Sequence, residues 1–147
     1  TIGVIAGLAL VAFELRQNTT LAGAEMNSQM LVHQQSLYAS LRDEKFAIVF
    51  SKSLSSPDSL SEHEQIMMDG YYRDLLGTLI RERQMIRRGV FEDDSMLMAR
   101  IVVSNGLGTV YGREWWARNK VGYFGGMNSL IDEALQQAKN GEFHVNY

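Results

Sequence analysis

The sequence has 147 residues, a hydrophobic share of 46%, a charged share of 21% and a formal net charge of -3. This length suits one domain, and the composition is that of a folded protein rather than a disordered one. The negative charge argues against a dedicated nucleic-acid binder, which needs clustered Lys and Arg in excess. Because the chain has no cysteine, disulfides, thiolate metal sites and cysteine nucleophiles are excluded.

The amino-terminal segment from Ile2 to Phe13 holds no charged or strongly polar residue over 12 positions. A helix that crosses a bilayer needs about 20 such residues. Because the first residue is Thr rather than Met, we expect residues 1–15 to be a transmembrane helix that has lost its upstream part. A buried core helix and a signal-peptide remnant are the alternatives, and AFELRQ offers no small-residue cleavage site for the latter.

Gly3 and Gly7 lie within this segment as G-V-I-A-G. The G-x-x-x-G spacing lets two helices approach closely in lipid, so it predicts a helix–helix contact in the membrane, with another subunit or with a second copy of the chain. The simpler interpretation is that Gly and Ala are frequent in membrane helices.

After Arg16, apolar residues recur at intervals of three, four or seven, which is the helical period. These residues are Leu21, Ala24, Leu31, Tyr38, Leu41 and Ile48. The pattern predicts one long helix that leaves the membrane and ends near Lys52. The next segment, SKSLSSPDSLSEHE, contains the only proline of the chain, Pro57, and is predicted to be a loop.

A second helix is predicted from Glu62 to Arg88. Ser61 and Glu64 form a capping-box pattern at its start, and Gly89 is a typical helix stop. The apolar stripe of this helix consists of Met68, Tyr72, Leu75, Leu79 and Ile86. The short connection predicts antiparallel pairing with the first helix.

Three shorter helices are predicted in the rest of the chain. Asp93 or Asp94 caps the first of them, which carries Met96, Leu97, Ile101 and Val102. A short aromatic helix runs from about Tyr111 to Arg118. The last helix runs from about Met127 to Ala138 and ends before Gly141, with Leu130, Ile131 and Leu135 facing inward. Since the alternation typical of strands is absent, the predicted fold is all-α.

The basic residues predict an orientation. Arg16 directly follows the apolar segment, and Arg87 and Arg88 end the second helix, which returns roughly 40 Å towards the bilayer. Arginines near anionic lipid gain about 1 kcal/mol each, and basic residues favour the cytoplasmic side. We therefore expect these three arginines to contact headgroups or an acidic partner, with the soluble domain in the cytoplasm. The alternative is a solvated helix face paired with Glu82 and Glu92.

No motif predicts a catalytic residue, a cofactor or a metal. The glycines of ARIVVSNGLGTVYG follow G-x-G-x-x-x-G rather than the dinucleotide-binding G-x-G-x-x-G, and no second parallel strand is predicted. His33, His63 and His144 lack the Glu three residues earlier that helical di-metal sites use. The G-x-S-x-G elbow of hydrolases is also missing.

Trp115 and Trp116 belong to an aromatic group that also contains Tyr111, Tyr123 and Phe124. Adjacent side chains on a helix point about 100° apart, so two neighbouring indoles cannot easily both face inward. The group is therefore either a core or a partner surface on which at least one of the two tryptophans is exposed.

Two short motifs carry a resemblance to known proteins. The segments Glu14–Thr19 (ELRQNT) and Arg113–Asp132 resemble those of a broad group of uncharacterised bacterial proteins with one amino-terminal membrane helix and a small helical domain. The chain keeps that group's tryptophan pair, later aromatic residue and Ile-Asp pair as Trp115, Trp116, Phe124, Ile131 and Asp132. It departs in GYFGGMNS, where glycines are more frequent. The resemblance implies a fold and a topology, and no activity.

The sequence as a whole predicts an all-α protein with a transmembrane helix at 1–15, continuous with a long helix. An antiparallel helical hairpin and a carboxy-terminal helical cap complete a soluble domain at 16–138, and 139–147 form a polar tail. The predicted function is a non-catalytic accessory or scaffold subunit of a bacterial inner-membrane protein complex, whose partners are other membrane subunits or a second copy and the lipid bilayer. The alternative is a membrane-tethered ligand-binding or sensory helical module.

Overall fold

The computed structural model of the protein describes residues 2–139. Within its first helix, the side chains at 2, 6, 26, 30, 33, 34, 36–38 and 40–42 lie outside the description. The described residues form helices and turns without a strand, which confirms the all-α fold. The helices are α1 (Ile2–Arg42), α2 (Glu44–Ser55), α3 (Glu62–Arg87), α4 (Ser95–Val102), α5 (Val110–Asn119) and α6 (Met127–Lys139). The chain divides into two compact units, Thr1–Ser36 and Leu37–Tyr147.

The first predicted helix is interrupted at Asp43. Its backbone is extended there, with φ −67° and ψ 123°, and its carboxylate accepts a hydrogen bond from the amide of Phe46 at 3.0 Å. This is the arrangement of a helix N-cap, so Asp43 starts a new helix. The prediction of one continuous helix to Lys52 was therefore wrong, because a local cap competes with helix continuation at this residue.

The residues of this segment that face the core also differ from the predicted stripe. Of the predicted stripe, Leu21, Leu31 and Ile48 are exposed in this chain. The residues of α2 that face the core are instead Phe46, Val49 and Ser53. The side chains of Tyr38 and Leu41 lie outside the described residues.

The capping box at the start of α3 is confirmed. The Ser61 hydroxyl accepts from the Glu64 amide at 3.3 Å, and the Glu64 carboxylate accepts from the Ser61 amide at 2.6 Å. Lys52 on α2 also donates to Glu64, at 2.7 Å. This hydrogen bond, together with those from Ser61, lowers the pKa of Glu64 to about 2. One carboxylate therefore caps α3 and ties it to α2.

Helix α3 supplies the central face of the core. The buried residues of its predicted stripe are Met68, Tyr72, Leu75 and Leu79, and Leu76 is buried beside them. Helices α2 and α4 pack against it. Since four of the five predicted stripe residues are buried, the helical period identified this face correctly.

A sharp corner joins α4 to α5. Gly106 has a φ of 124°, a conformation that L side chains rarely adopt, and a Cβ atom there would lie 3.0 Å from the ring of Phe50. The hydroxyl of Tyr71 donates to the carbonyl of Asn105 at 2.8 Å. Gly106 therefore lies at a corner between two helices, whereas a dinucleotide-binding turn joins a strand to a helix.

The N-cap residue of α4 is Asp94, but the aspartate whose side chain bonds to the start of the helix is Asp93. Asp93 Oδ1 accepts from the Ser95 amide at 3.2 Å, whereas the side chain of Asp94 makes no capping bond. The prediction of the inward face of α4 was partly wrong, because Ala99 and Val102 are buried, whereas Leu97 and Ile101 are exposed.

The last two helices match the prediction closely. Helix α6 buries Ile131 and Leu135, and Leu130 packs partly buried against the core. The predicted tail beyond residue 139, with Gly141 and His144, lies outside the described residues.

Two predictions on membrane topology are not confirmed. Among residues 2–139, no helix contains a stretch that is both long and apolar enough to cross a membrane. The antiparallel hairpin was predicted for the whole first helix, whereas the packing seen against α3 is that of α2. The span and the hairpin therefore stay predictions.

The buried face of α3 generates a prediction about stability. Leu79→Ala should lower the free energy of unfolding by about 2–5 kcal/mol, because Leu79 is fully buried and its removal leaves a cavity. Ile66→Ala on the same helix is the matched control, since Ile66 is 63% exposed, and should change stability by less than about 0.5 kcal/mol. Urea unfolding followed by circular dichroism measures both. Equal effects would mean that α3 buries a different face.

Candidate functional site

The apolar segment at the start of α1 is exposed within this chain. Its large apolar side chains are between 51% and 67% exposed. They are Val4, Ile5, Leu8, Leu10, Val11, Phe13 and Leu15. At about 100° per residue these positions surround the whole helix axis rather than forming one stripe. A helix that is apolar all round is typical of burial in lipid or inside other proteins.

The predicted contact residues Gly3 and Gly7 lie four positions apart on this helix. A Cβ atom at either glycine would meet nothing within 4 Å in the described chain. Within the described residues, no other helix packs on these two glycines, and the helix–helix contact stays a prediction. Arg16, which directly follows the apolar segment, is exposed.

The two tryptophans of α5 both face inward. Trp115 is 3% and Trp116 2% exposed, so both rings lie in the core, which was the first of the two alternatives, although two adjacent indoles do not easily face inward together. Both are buried because α5 has neighbours in two directions. Trp115 packs on Tyr72 of α3, with ring centroids 5.1 Å apart, and Trp116 reaches Asp132 of α6.

Each indole N–H donates to a carboxylate on a different helix. Trp115 Nε1 donates to Asp69 Oδ1 at 2.9 Å, and Trp116 Nε1 donates to Asp132 Oδ1 at 2.8 Å. Arg73 pairs with Asp69 at 2.7 Å, and its guanidinium lies 5.9 Å from the centre of the Trp115 ring. These polar groups are therefore engaged in holding α5 in place.

Both carboxylates have a pKa below the ordinary value for Asp. The hydrogen bond from Arg73 is the largest cause for Asp69, with that from Trp115 adding to it. For Asp132, burial raises the pKa most strongly, but hydrogen bonds from Trp116 and Lys120 outweigh it. Lys120 lies 2.9 Å from Asp132. Both groups are therefore ionised acceptors at neutral pH, not proton donors.

Glu82 on α3 is a buried acid that the sequence pattern did not single out. It is 6% exposed, and its Oε2 atom has no hydrogen-bond partner among the described residues. Burial, with smaller contributions from Asp94 and Asp93, raises the pKa of Glu82 to about 7. Glu82 was considered as a surface partner for the nearby arginines, and its burial corrects that interpretation. The sequence did carry a signal for this position, because Glu82 lies three residues after Leu79 and four before Ile86, on the apolar stripe of α3. A charged residue is normally exposed, so the stripe was read without it.

A groove of about 310 Å³ runs between the carboxy-terminal half of α3 and the loop that precedes α6. Arg83 and Arg87 line one side, and Tyr123, Phe124 and Gly125 line the other. Arg87 Nη2 donates to the carbonyl of Gly125 at 3.2 Å. The predicted contact residue Arg87 is therefore part of this groove, together with Arg83.

The other predicted contact arginines have separate positions. Arg88 is exposed and forms the C-cap of α3, directly after the groove-lining residue Arg87. Arg16 belongs to the other unit of the chain. Contact of these residues with headgroups or with an acidic partner stays a prediction.

Over the described part of the chain, no group of three or more His, Asp or Glu side chains is placed to hold a metal ion. No protein-family model matches the sequence, and no curated protein and no solved structure matches it either. The resemblance carried by Glu14–Thr19 and Arg113–Asp132 therefore stays a prediction. The hydrogen bond between Trp116 and Asp132 gives the second motif a structural role, because it joins two of that motif's residues.

The raised pKa of Glu82 generates a prediction about pH. The folded protein holds a proton on Glu82 up to about pH 7, whereas the unfolded chain releases it near the ordinary value of 4.5. The contribution of Glu82 to stability is thus present below about pH 4.5 and is lost as the pH rises through about 7. Glu82→Gln cannot ionise, so it should be more stable than the wild type at pH 8, by on the order of 2 kcal/mol, and gain little at pH 5.

Urea unfolding of both proteins at pH 5 and pH 8 measures this effect. The difference in free energy of unfolding between the variant and the wild type is taken at each pH, which removes the contribution of the histidines that both proteins share. Glu114→Gln, at an exposed position of α5, removes the same charge and should show no such pH dependence. If the two variants respond alike, the burial of Glu82 has no energetic consequence.

Proposed function

We propose that this protein is a non-catalytic accessory or scaffold subunit of a bacterial inner-membrane protein complex, attached through the apolar segment of α1. The observation that carries this proposal is the exposure of every described large apolar side chain between Val4 and Leu15. Monomeric soluble proteins rarely expose contiguous apolar patches of this kind, and such patches mark membrane or protein contacts.

The free energy available from covering this segment is large. Fully burying a Val, Leu, Ile or Phe side chain stabilises by about 1.5–3 kcal/mol. The seven exposed side chains together offer on the order of 10 kcal/mol. That is enough to hold a small domain against a membrane assembly.

The occupants of this surface are lipid and the membrane helices of partner subunits. Residues 2–13 rise about 18 Å as a helix, compared with a hydrocarbon core of about 30 Å. Partner helices pack against the face of Gly3 and Gly7, where no side chain stands in the way, and lipid covers the remainder. Arg16 then lies at the cytoplasmic headgroups, which places residues 16–138 in the cytoplasm.

A scaffolding role agrees with the use of polar groups in the helical domain. Asp69 and Asp132, which are two of the carboxylates nearest the aromatic core, accept hydrogen bonds from the tryptophans and pair with Arg73 and Lys120. Groups engaged in this way hold helices in position. These contacts fix helices α3, α5 and α6 relative to one another, as a scaffold requires.

Membrane fractionation of variants tests the attachment. Replacing Val4, Leu8 and Val11 together with Ser should move most of the protein from the membrane fraction to the soluble fraction, since the apolar contact is lost. The matched control replaces three equally exposed apolar residues of the helical domain, Ile48, Leu54 and Ile66, with Ser. Sedimentation and immunoblotting of cell membranes measures both. If the control leaves the membrane as readily, α1 is not the attachment.

The glycine face has its own prediction. Replacing Gly3 and Gly7 with Ile should lower the yield of co-purifying subunits at least tenfold after gentle detergent extraction, because the added side chains keep the partner helix at a distance. Ala12→Ile on the opposite side of α1 is the control and should leave co-purification unchanged. Size-exclusion chromatography with mass spectrometry of the native complex gives the yield. Unchanged partners in the glycine variant would exclude this face from the contact.

The second candidate function is a membrane-tethered ligand-binding or sensory module. The observation that favours it is the groove lined by Arg83 and Arg87, because it combines cationic and apolar groups in one concave surface. A thermal shift of the full chain by a small molecule would support this function. Purification as a lone monomer would count against the scaffold.

A further inference from the structure

The groove between α3 and the start of α6 carries an inference that does not depend on how the protein is attached to a membrane. We infer that this groove is a binding site for a phosphate group, held by Arg83, Arg87 and the first amides of α6. A lipid headgroup and a soluble phosphate ester both carry this chemistry.

The first element of the site is the start of α6. The first amides of any helix have no acceptor within the helix, and the helix dipole makes this end partly positive. The Met127 amide donates to the Phe124 carbonyl at 3.4 Å, whereas the next two amides, of Asn128 and Ser129, have no backbone acceptor among the described residues. Gly126 has no side chain with which to cap them, so they can donate to another acceptor, and a phosphate is the acceptor that such ends commonly take.

The second element is the pair of guanidinium groups placed at this terminus. A Cβ atom at Gly125 would lie 3.0 Å from Arg87 Nη2, and one at Gly126 would lie 3.4 Å from Arg83 Nη2. Both glycines have a positive φ, at 67° and 79°. The turn that brings the arginines close to the helix start is thus built from residues that allow both its conformation and its close approach.

The third element is a polar atom that lacks a partner. Arg83 Nη1 is buried and makes no hydrogen bond among the described residues. Neither Arg83 nor Arg87 forms an ion pair with a carboxylate in this part of the chain. The Arg83 side chain as a whole is only partly buried, but this nitrogen is shielded from water, and a shielded donor without an acceptor is unfavourable. An oxyanion in the groove would supply the acceptor, and an arginine fork matches the geometry of phosphate.

Acidic groups near the groove do not occupy it. Asp93 is close enough to Arg83 for the guanidinium to help lower the pKa of that carboxyl, although hydrogen bonds from Ser95 contribute more. Asp93 itself caps α4 through the Ser95 amide. The groove therefore keeps its positive charge available for a ligand.

Apolar side chains border the same groove. Phe124 lines the groove and is 83% exposed, and Ile80 and Tyr123 line it as well. A phosphate that carries an organic group would place that group against Phe124. This arrangement selects a phosphate ester or a phospholipid over a small inorganic anion.

Phosphate binding is tested by titrating the full-length protein with inorganic phosphate and with glycerol phosphate at constant ionic strength, using calorimetry. Arg83→Gln should weaken binding at least tenfold, and Arg87→Gln should have a similar effect. Arg81→Gln is the matched control, because it removes the same charge from an exposed position of α3 outside the groove. It should change affinity by less than about twofold.

A thermal melt without ligand separates binding from folding. Since Arg83 Nη1 has no partner among the described residues, Arg83→Gln should melt at the same temperature as the wild type or higher. A variant that is folded and no longer binds phosphate supports the site. A wild type that binds neither phosphate nor phosphate-bearing vesicles overturns it, as does equal weakening by Arg83→Gln and Arg81→Gln.

The source of the phosphate is distinguished by a vesicle arm. Phosphatidylcholine vesicles with and without phosphatidate are sedimented with the wild type and with Arg83→Gln. Phosphatidate-dependent binding that is lost in Arg83→Gln, together with weak binding of glycerol phosphate, identifies a lipid headgroup. Tight binding of glycerol phosphate without a phosphatidate effect identifies a soluble ester.

Discussion

The arrangement of the helical domain depends on two indole hydrogen bonds that leave α5 in different directions. Trp115 bonds to Asp69 of α3 at 2.9 Å, and Trp116 bonds to Asp132 of α6 at 2.8 Å. A helix of ten residues makes few contacts of its own, so these bonds and the burial of both rings hold it between its neighbours. Helix α4 packs on both α3 and α6 as well. Together these contacts hold α6 beside α3, where the turn before α6 lies against Arg83 and Arg87.

Local signals in the sequence predicted the parts of the fold that depend on neighbouring residues. The capping box of Ser61 and Glu64 is a spacing of three, and the buried face of α3 follows the helical period, so both could be identified directly. The break at Asp43 was missed, because an aspartate within an amphipathic pattern is equally compatible with a solvated helix position. The burial of both Trp115 and Trp116 was left open, since that of Trp116 requires a carboxylate 16 residues later on another helix. Of the two arginines that line the groove, only Arg87 was predicted from the sequence to be a contact residue.

The two proposed activities use separate parts of the chain and different physical forces. Attachment by α1 depends on exposed apolar area, which is insensitive to ionic strength. Phosphate binding depends on charge at a helix start and weakens as salt rises. A protein that combined both would be held at a membrane by the first and would respond to a phosphate ligand through the second. Glu82, on the same helix as the two arginines, adds a group that changes charge near pH 7.

The helix cap at Asp43 has a practical consequence for preparing the protein. Its carboxylate and its carbonyl together accept from the amides of Phe46 and Ala47, at 3.0 and 2.8 Å, so α2 obtains its first acceptors from a single residue of its own segment. Trimming the chain just before Asp43 would leave those acceptors in place. Since the compact unit that holds α2 begins at Leu37, a fragment that starts there keeps this cap together with the aromatic core, and it would be a natural starting point for crystallisation.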